Sequence, residues 1–234
     1  VTDPRTKGER DPEAAMKVGV ISDIHSNLVA LEAVLEDMPD VDRLVCAGDV
    51  VGYNPWPAEC VDAVRERDVP TVMGNHDRMV ATGRNFRGNS MAEAGVKHAV
   101  EELNDVQRTW VENLPRERTL ADGRVKLVHD HPEVQDKYTY PEEFGPHLLG
   151  DEDVLILGHT HVQHHETYDD GVVMNPGSVG QPRDRDPRAA YAVLDLDALE
   201  VEEHRVEYDV ERVQEGVRKA GLPSGTADRL AEGR

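Results

Sequence analysis

The chain has 234 residues, 47 acidic against 26 basic for a formal charge of −21, and only six of the basic residues are lysine. Such a surface repels nucleic-acid phosphates and offers no basic patch to an anionic membrane, which argues against a stable polynucleotide partner and against membrane attachment. No stretch nears the roughly 20 apolar residues that span a bilayer, and two cysteines, Cys46 and Cys60, make no disulfide framework. A reducing cytoplasm is the expected compartment.

In chain order, residues 1 to 15 are polar, carry Pro4 and Pro12 among mixed charges, and read as a flexible leader, with Met16 a candidate natural start. Apolar strand-like runs near 17 to 22, 43 to 47 and 69 to 73 alternate with helical patterns near 27 to 37 and 57 to 67, the signature of crossover units in a sheet. Residues 89 to 113 read as helical, with Ala94, Val96, Ala99, Val100, Leu103 and Val106 as the buried stripe. Shorter runs at 125 to 129, 153 to 157, 171 to 174, 190 to 196 and 201 to 208 predict a second sheet packed on the first. A terminal helix is expected over 210 to 220, stopped by Gly221 and Pro223, with a polar tail from 224 to 234 that frays or meets a partner. The division is then a leader over 1 to 15, one domain over 16 to 210, and a helix with polar tail over 211 to 234.

Side chains suited to metals follow the apolar runs. Asp23-Ile24-His25 closes the first run, Gly48-Asp49 the second and Gly74-Asn75-His76-Asp77 the third; His129 and Gly158-His159-Thr160-His161 come later. Nitrogen and oxygen donors of this kind suit a pair of borderline divalent cations that keep positions open for water and a phosphate oxygen. In extended backbone, residues two apart point to one face, so Asp23 and His25 can reach the same ion, and His159 and His161 repeat that geometry. Gly158 is expected to let the backbone turn away from the sheet. Each block sits past the carboxyl end of a strand, where open α/β sheets bind ligands.

These five blocks resemble those of the calcineurin-like metallophosphoesterase superfamily, whose pattern is Asp-x-His, Gly-Asp, Gly-Asn-His-Asp/Glu, His and Gly-His-x-His. The likeness spans about residues 16 to 210. The stretches Gly48-Asp49-Val50-Val51-Gly52-Tyr53 and Asn175-Pro176-Gly177-Ser178-Val179-Gly180-Gln181-Pro182-Arg183 are similar to its compact bacterial and archaeal phosphodiesterase branch. The resemblance implies an α/β (α+β) fold, a two-sheet β-sandwich flanked by helices with metals at one end. It implies a phosphodiesterase in which Asp23, His25, Asp49 and His161 hold one divalent ion. Asp49, bridging, then joins Asn75, His129 and His159 at the second. Manganese is the leading metal, with iron, zinc, nickel and cobalt compatible. His76 resembles the family's catalytic histidine, set to protonate the leaving alkoxide and stabilise phosphoryl charge. The substrate is then a small phosphoester, nucleotide derivatives included. A phosphomonoesterase or protein phosphatase with the same site is the alternative. The retromer scaffold subunit shows that this fold also serves as an interaction platform, a reading that loss of His76 would have favoured.

Two departures from the wider pattern are informative. Protein phosphatases place an Asp and an Arg after Gly-Asp, where this chain has Val50-Val51-Gly52-Tyr53. His76 then needs another orienting group, for which Asp77 is the candidate. In Val128-His129-Asp130-His131-Pro132, His131 reads as a solvated loop histidine. Asn175, Arg183 and Tyr53 are the candidates for substrate contact, with ion pairing to Asp184 or Asp186 the alternative for Arg183. The loop over 81 to 89, carrying Arg84, Phe86 and Arg87, is placed to overhang the pocket but reads by default as a surface loop.

The acidity and scarcity of lysine also suggest a halophilic source. At about 1 M salt the Debye length falls to about 3 Å and self-repulsion is largely screened. The expected outcome is a thermal midpoint that climbs as KCl is raised to about 1 M; full stability in dilute buffer would contradict it.

Overall fold

The computed structural model describes residues 16–83 and 89–234. The expected leader over 1 to 15, and Arg84, Phe86 and Arg87 of the loop over 81 to 89, lie outside the described residues. Two mixed sheets pack face to face. The first has the order β2-β1-β8-β9, built from β2 (Arg43–Cys46), β1 (Lys17–Ile21), β8 (Ala189–Asp195) and β9 (Glu200–Val206). The second has the order β3-β4-β5-β7-β6, from β3 (Glu117–Leu120), β4 (Val125–Val128), β5 (Val154–Ile156), β7 (Gly171–Asn175) and β6 (His164–Tyr168). In the first sheet β1 runs parallel to β2; in the second, β4, β5 and β7 are mutually parallel.

Alternation along the strands decides which side chains fill which layer. Val18 and Val20 of β1 point into the space between the sheets, where they meet Val125, Leu127, Val154, Ile156, Val172 and Met174. Ile21 faces the other way, into a layer with Leu31 and Val34 of α1 (Leu28–Asp37), and Cys60, Val61 and Val64 of α2 (Pro57–Arg65). Three further helices, α3 (Asn75–Thr82), α4 (Ser90–Glu102) and α5 (Asp105–Glu112), complete this outer layer through Met79, Val96, Ala99 and Val111.

The expected two-sheet sandwich is present, with corrections in detail. The run 69 to 73 forms only a single parallel bridge, Cys46 to Thr71, because Pro70 lacks the N–H a second rung needs. The helical stretch 89 to 113 is two helices. Asn104 breaks it by accepting hydrogen bonds from the backbone N–H groups of Val106 and Gln107, while the Gln107 side chain accepts from Asn104 N–H. Val106, assigned to the buried stripe, is consequently 62% exposed. The runs 190 to 196 and 201 to 208 return to the first sheet rather than the second. Strands β3 and β6 escaped the sequence reading, since Glu117-Arg118-Thr119-Leu120 and His164-His165-Glu166-Thr167-Tyr168 carry few apolar residues.

The polar tail is folded. After α6 (Val210–Lys219), Gly221 takes a φ of +69°, and α7 (Ser224–Leu230) folds back. Ala227 and Leu230 then pack with Val213, Val217, Val29 and Trp56, so the C-terminal helices are continuous with the rest of the core. Backbone bonding of Arg185 N–H to Gly233 ties this end to the loop that carries Arg183. Among the described residues no helix is long and apolar enough to cross a membrane.

Candidate metal centre and active site

All seven predicted ligands are buried and lie at one end of the sandwich. Asp23 stands two residues past β1, Asp49 three past β2, His129 directly after β4, and His159 three past β5. Backbone hydrogen bonds stitch these ends together: Asp23 N–H to Gly48 (2.9 Å), His25 N–H to Asp49 (3.0 Å), and Gly158 N–H to His129 (2.9 Å).

The two-residue spacing works by a different geometry from the extended one expected. Asp23, His25, Asp49, His159 and His161 all have positive φ, between +47° and +68°. These left-handed turns are unfavourable for residues bearing a Cβ, and they persist because the surrounding bonds over-determine them. Gly158, too, serves another purpose than a turn. A Cβ there would lie 2.3 Å from Ser22 Oγ, so glycine is required for the β5 end to approach the β1 end.

Three imidazoles are held by backbone carbonyls. Nδ1–H of His25 donates to Val51 (3.1 Å), that of His129 to Ala47 (2.8 Å), and that of His161 to Gln181 (2.5 Å). This fixes the tautomer and turns each Nε2 toward the interior. His25 Nε2 and His161 Nε2 then face each other at 3.1 Å, an arrangement of two lone pairs that a cation stabilises. Asp23 Oδ1 lies 3.2 Å from His161 Nε2 and 3.6 Å from His25 Nε2. Asp49 Oδ2 lies 3.6 Å from His25 and 3.4 Å from His129, whose Nε2 is 3.3 Å from Asn75 Oδ1. Donor atoms of Asp23, His25 and His161, and of Asp23, Asp49 and His129, fall within 4.8 Å of one another. Asp23 is common to both groups, and Asp49 Oδ2 lies between His25 of the first and His129 of the second. His25 and Asp49 also group with His76 in this way.

Two buried acceptors, Asp23 Oδ1 and His159 Nε2, have no hydrogen-bond partner. Both belong to the predicted ligand set, and the donor chemistry is the mixed imidazole, carboxylate and amide type that divalent transition metals accept. The residues present fit a dinuclear centre. His159 is the looser member: its ring centroid lies 5.1 Å from that of His129, and its donor atom belongs to neither compact group.

The electrostatics agree with that assignment. Burial opposes ionisation of Asp23 and Asp49, but the neighbouring histidines outweigh it and hold both carboxyls below their ordinary range. Burial likewise resists charge on His129, yet Asp49 and Asp23 push it up to about 10. Burial lowers His159 to about 4, and it lowers His25 and His161 as well.

His76 follows Asn75 on α3 and is 4% exposed. Burial lowers it to about 4, so the ring is neutral near pH 7. It packs on the Tyr53 ring at 4.6 Å, and Gly52 makes room for it, since a Cβ there would lie 2.5 Å from its Nδ1. Asp77 does not orient it. The Asp77 side chain accepts instead from the N–H groups of Asp49 (2.8 Å), Gly74 (3.0 Å) and Val51 (3.2 Å), and so braces the loop carrying Asp49. His76 N–H donates to Asp49 Oδ1 (2.8 Å), leaving Oδ2 for the cluster.

Among the residues expected to touch substrate, Tyr53 lines a cleft of about 150 Å³ with Asn75, His76, Met79, Tyr138 and His159. Arg183 pairs with neither Asp184 nor Asp186, because Arg205 takes the first and Arg188 the second. Its guanidinium instead donates to Tyr53 Oη (3.3 Å) and Gln181 Oε1 (2.9 Å), and its buried Nε has no partner. Asn175 is otherwise employed. Its amide donates to Gly158 O (2.6 Å) and Thr160 Oγ1 (3.0 Å) and accepts from Gly177 N–H, holding the His159 loop from behind. His131 is buried rather than solvated, because its Nδ1 accepts from the N–H groups of Glu133 (3.1 Å) and Val134 (3.3 Å). Tyr138 was missed: its ring stacks on His159 at 3.9 Å, but a tyrosine in a long loop gives no periodic signal.

The family model of the calcineurin-like phosphoesterase superfamily domain matches residues 16–199. An uncharacterised protein of Methanocaldococcus jannaschii is 32% identical over 240 residues, covering 93% of this chain and 98% of its own. Phosphodiesterase YfcE of Escherichia coli is 30% identical over 201 residues, covering 80% of this chain and 91% of its own. A metallophosphoesterase from Sphaerobacter thermophilus, solved by crystallography, superposes with a TM-score of 0.80 at 36% identity, covering 94% of this chain and 100% of that one.

Loading the centre must displace the proton that Asp49 and Asp23 hold on His129. Metal binding to stripped protein at pH 7 is expected to release about one proton per chain, read by calorimetry in buffers of different ionisation enthalpy. Binding without proton release would contradict this charge assignment.

Proposed function

Since the chain belongs to the calcineurin-like phosphoesterase superfamily and is a metal-dependent phosphoester hydrolase, we propose that its preferred substrates are small phosphodiesters. The observation that carries this reading is the cleft's charge. Among the described residues, Arg183 is the guanidinium that bonds Tyr53 of the cleft wall, and the Asp–Arg pair of the phosphatases is replaced by buried Val50, Val51 and Tyr53. A diester brings one negative charge and a monoester two, and a strongly acidic protein with Arg183 at the cleft wall suits the lesser charge of the diester.

Asp23, His25, Asp49 and His161 hold one divalent ion in this reading, and Asp49, Asn75, His129 and His159 the other. Such ions acidify water for attack on phosphorus and neutralise charge on the phosphoryl oxygens. Manganese is our first choice, with iron, zinc, nickel and cobalt compatible with the same donors. The chain's own contributions are orientation and hydrogen bonding. Nearly neutral His76 offers a ring N–H to a phosphoryl or leaving oxygen, which assigns it charge stabilisation rather than transfer of an imidazolium proton. Arg183, steadied by Tyr53 and Gln181, presents its remaining donors to the phosphate. Asn175 supports the His159 loop and is assigned no substrate contact.

A reducing, cytoplasmic setting is consistent with Cys46 and Cys60, which are free and buried. A salt-rich one is supported by the charge of −21.

The test pairs bis(p-nitrophenyl) phosphate with p-nitrophenyl phosphate on metal-loaded protein. A higher kcat/KM for the diester is expected, and His76→Ala is expected to lower kcat about 10²-fold with two metals still bound. Preference for the monoester would overturn the diester reading. Loss of a metal in the variant would make His76 a ligand.

A further inference from the structure

Four of the predicted ligands are imidazoles, and three of them are fixed in the same way. His25, His129 and His161 each donate Nδ1–H to a main-chain carbonyl, which sets the ring plane. His159 is the exception: among the described residues no hydrogen bond reaches either nitrogen of its ring, although Nε2 is buried. Its main chain is settled, since His159 N–H donates to Asp23 Oδ2 (3.1 Å) and Gly158 N–H to the His129 carbonyl (2.9 Å). Those bonds leave rotation of the side chain open, and that rotation decides where the ring nitrogens point.

The Tyr138 ring closes this freedom. It lies on the His159 ring with centroids 3.9 Å apart and planes 19° from parallel. Tyr140 stacks on Tyr138 in turn, at 5.9 Å and 14°. A flat ring at van der Waals separation resists rotation of its neighbour, because turning either one drives an edge into the other's face. Tyr138 is 43% exposed, yet with both faces occupied it offers no stacking surface to a ligand. Its contact is directed inward, at the cluster.

A brace of this kind needs anchoring, and the loop supplies it on both sides. Lys137 Nζ and Tyr140 N–H bind the two oxygens of the Glu143 carboxylate at 3.1 and 3.2 Å, and Glu143 N–H donates to the Tyr140 carbonyl (2.8 Å). Tyr138 therefore stands between two residues tied to one side chain. Upstream, the Asp130 carboxylate accepts from Asp136 N–H (2.5 Å), and Arg78 of α3 binds the Asp136 carboxylate (2.5 Å).

We propose that Tyr138 is a positioning residue: by stacking on His159 it orients the imidazole that completes the second ion's site, and so sets how tightly that ion is held without affecting the first. The inference rests on the ligand assignment proposed above, in which His159 serves the second ion. The two kinds of restraint differ in chemistry. A hydrogen bond from Nδ1–H fixes the tautomer as well as the plane and makes Nε2 a better donor, whereas a stacked ring fixes the plane alone. Both imidazoles of the first ion have the stronger restraint, and one of the second ion's two lacks it. The second ion is therefore the more weakly bound.

The test is titration of metal-stripped protein with manganese, followed by the electron paramagnetic resonance signal of the free ion, which counts bound ions and yields both affinities without turnover. Native protein is expected to bind two ions, the second more weakly, and His159→Ala only the first. Tyr138→Ala should weaken the second ion about tenfold and leave the first within about twofold of native. Tyr138→Phe, which keeps the ring and loses the hydroxyl, should restore the native values. Native affinities in Tyr138→Ala, equal losses at both sites, or a phenylalanine variant as weak as the alanine one would overturn the brace. Native protein that binds a single ion, or His159→Ala that binds two as native protein does, would overturn the ligand assignment beneath it.

Discussion

The structure depends on a set of buried acceptor atoms that the protein does not satisfy by itself. Two carboxylates, Asp23 and Asp49, are withdrawn from water, and four imidazoles crowd around them. Unpaired charge in such a place is costly, and the compensation available within the chain is one proton on His129. Three histidines have their Nδ1–H groups taken by carbonyls, so their rings cannot turn to relieve the crowding. In the proposed dinuclear assignment a pair of cations would resolve the conflict. The local irregularities, left-handed backbone at five of the predicted ligands and a glycine where two strand ends nearly touch, are what this convergence requires.

Support for the cluster comes from residues that never reach a metal. Asp77 gathers three backbone N–H groups, that of Asp49 among them, and Asn175 ties Gly158 to Thr160 behind His159. Asn54 donates to the His25 carbonyl (2.9 Å) and secures that loop to the body. Each is a polar side chain buried to hold main chain in place, which is how loops acquire the precision that dinuclear chemistry needs. Motif residues thus divide into those whose side chains line the cleft and those that hold main chain behind it, and adjacency in sequence does not separate the two. His76 and Asp77 are neighbours with opposite tasks.

Much of this was legible because metal chemistry restricts residue type sharply. Asp, His and Asn behind apolar runs pointed to seven residues that the structure buries together at one end of the sandwich. Geometry was less legible. Extended backbone was the natural expectation for Asp23-Ile24-His25, whereas the left-handed turn depends on bonds to Gly48 and Asp49, more than 20 residues away. Polar strands β3 and β6 take their pairing from β4 and β7, so their own residues carry little signal. Helix α7 is short and polar, and Leu230 is buried by a surface that α6, Val29 and Trp56 create together. The fate of Arg183 turned on competition, since Arg188 and Arg205 claim the carboxylates nearest to it in sequence.

The account stands on two divalent ions sharing Asp49. Anomalous X-ray diffraction from crystals of manganese-loaded protein addresses this directly. Two peaks are expected, both within bonding reach of the Asp49 carboxylate, with Asp23, His25 and His161 around one and Asn75, His129 and His159 around the other. A single peak, or peaks away from Asp49, would contradict it.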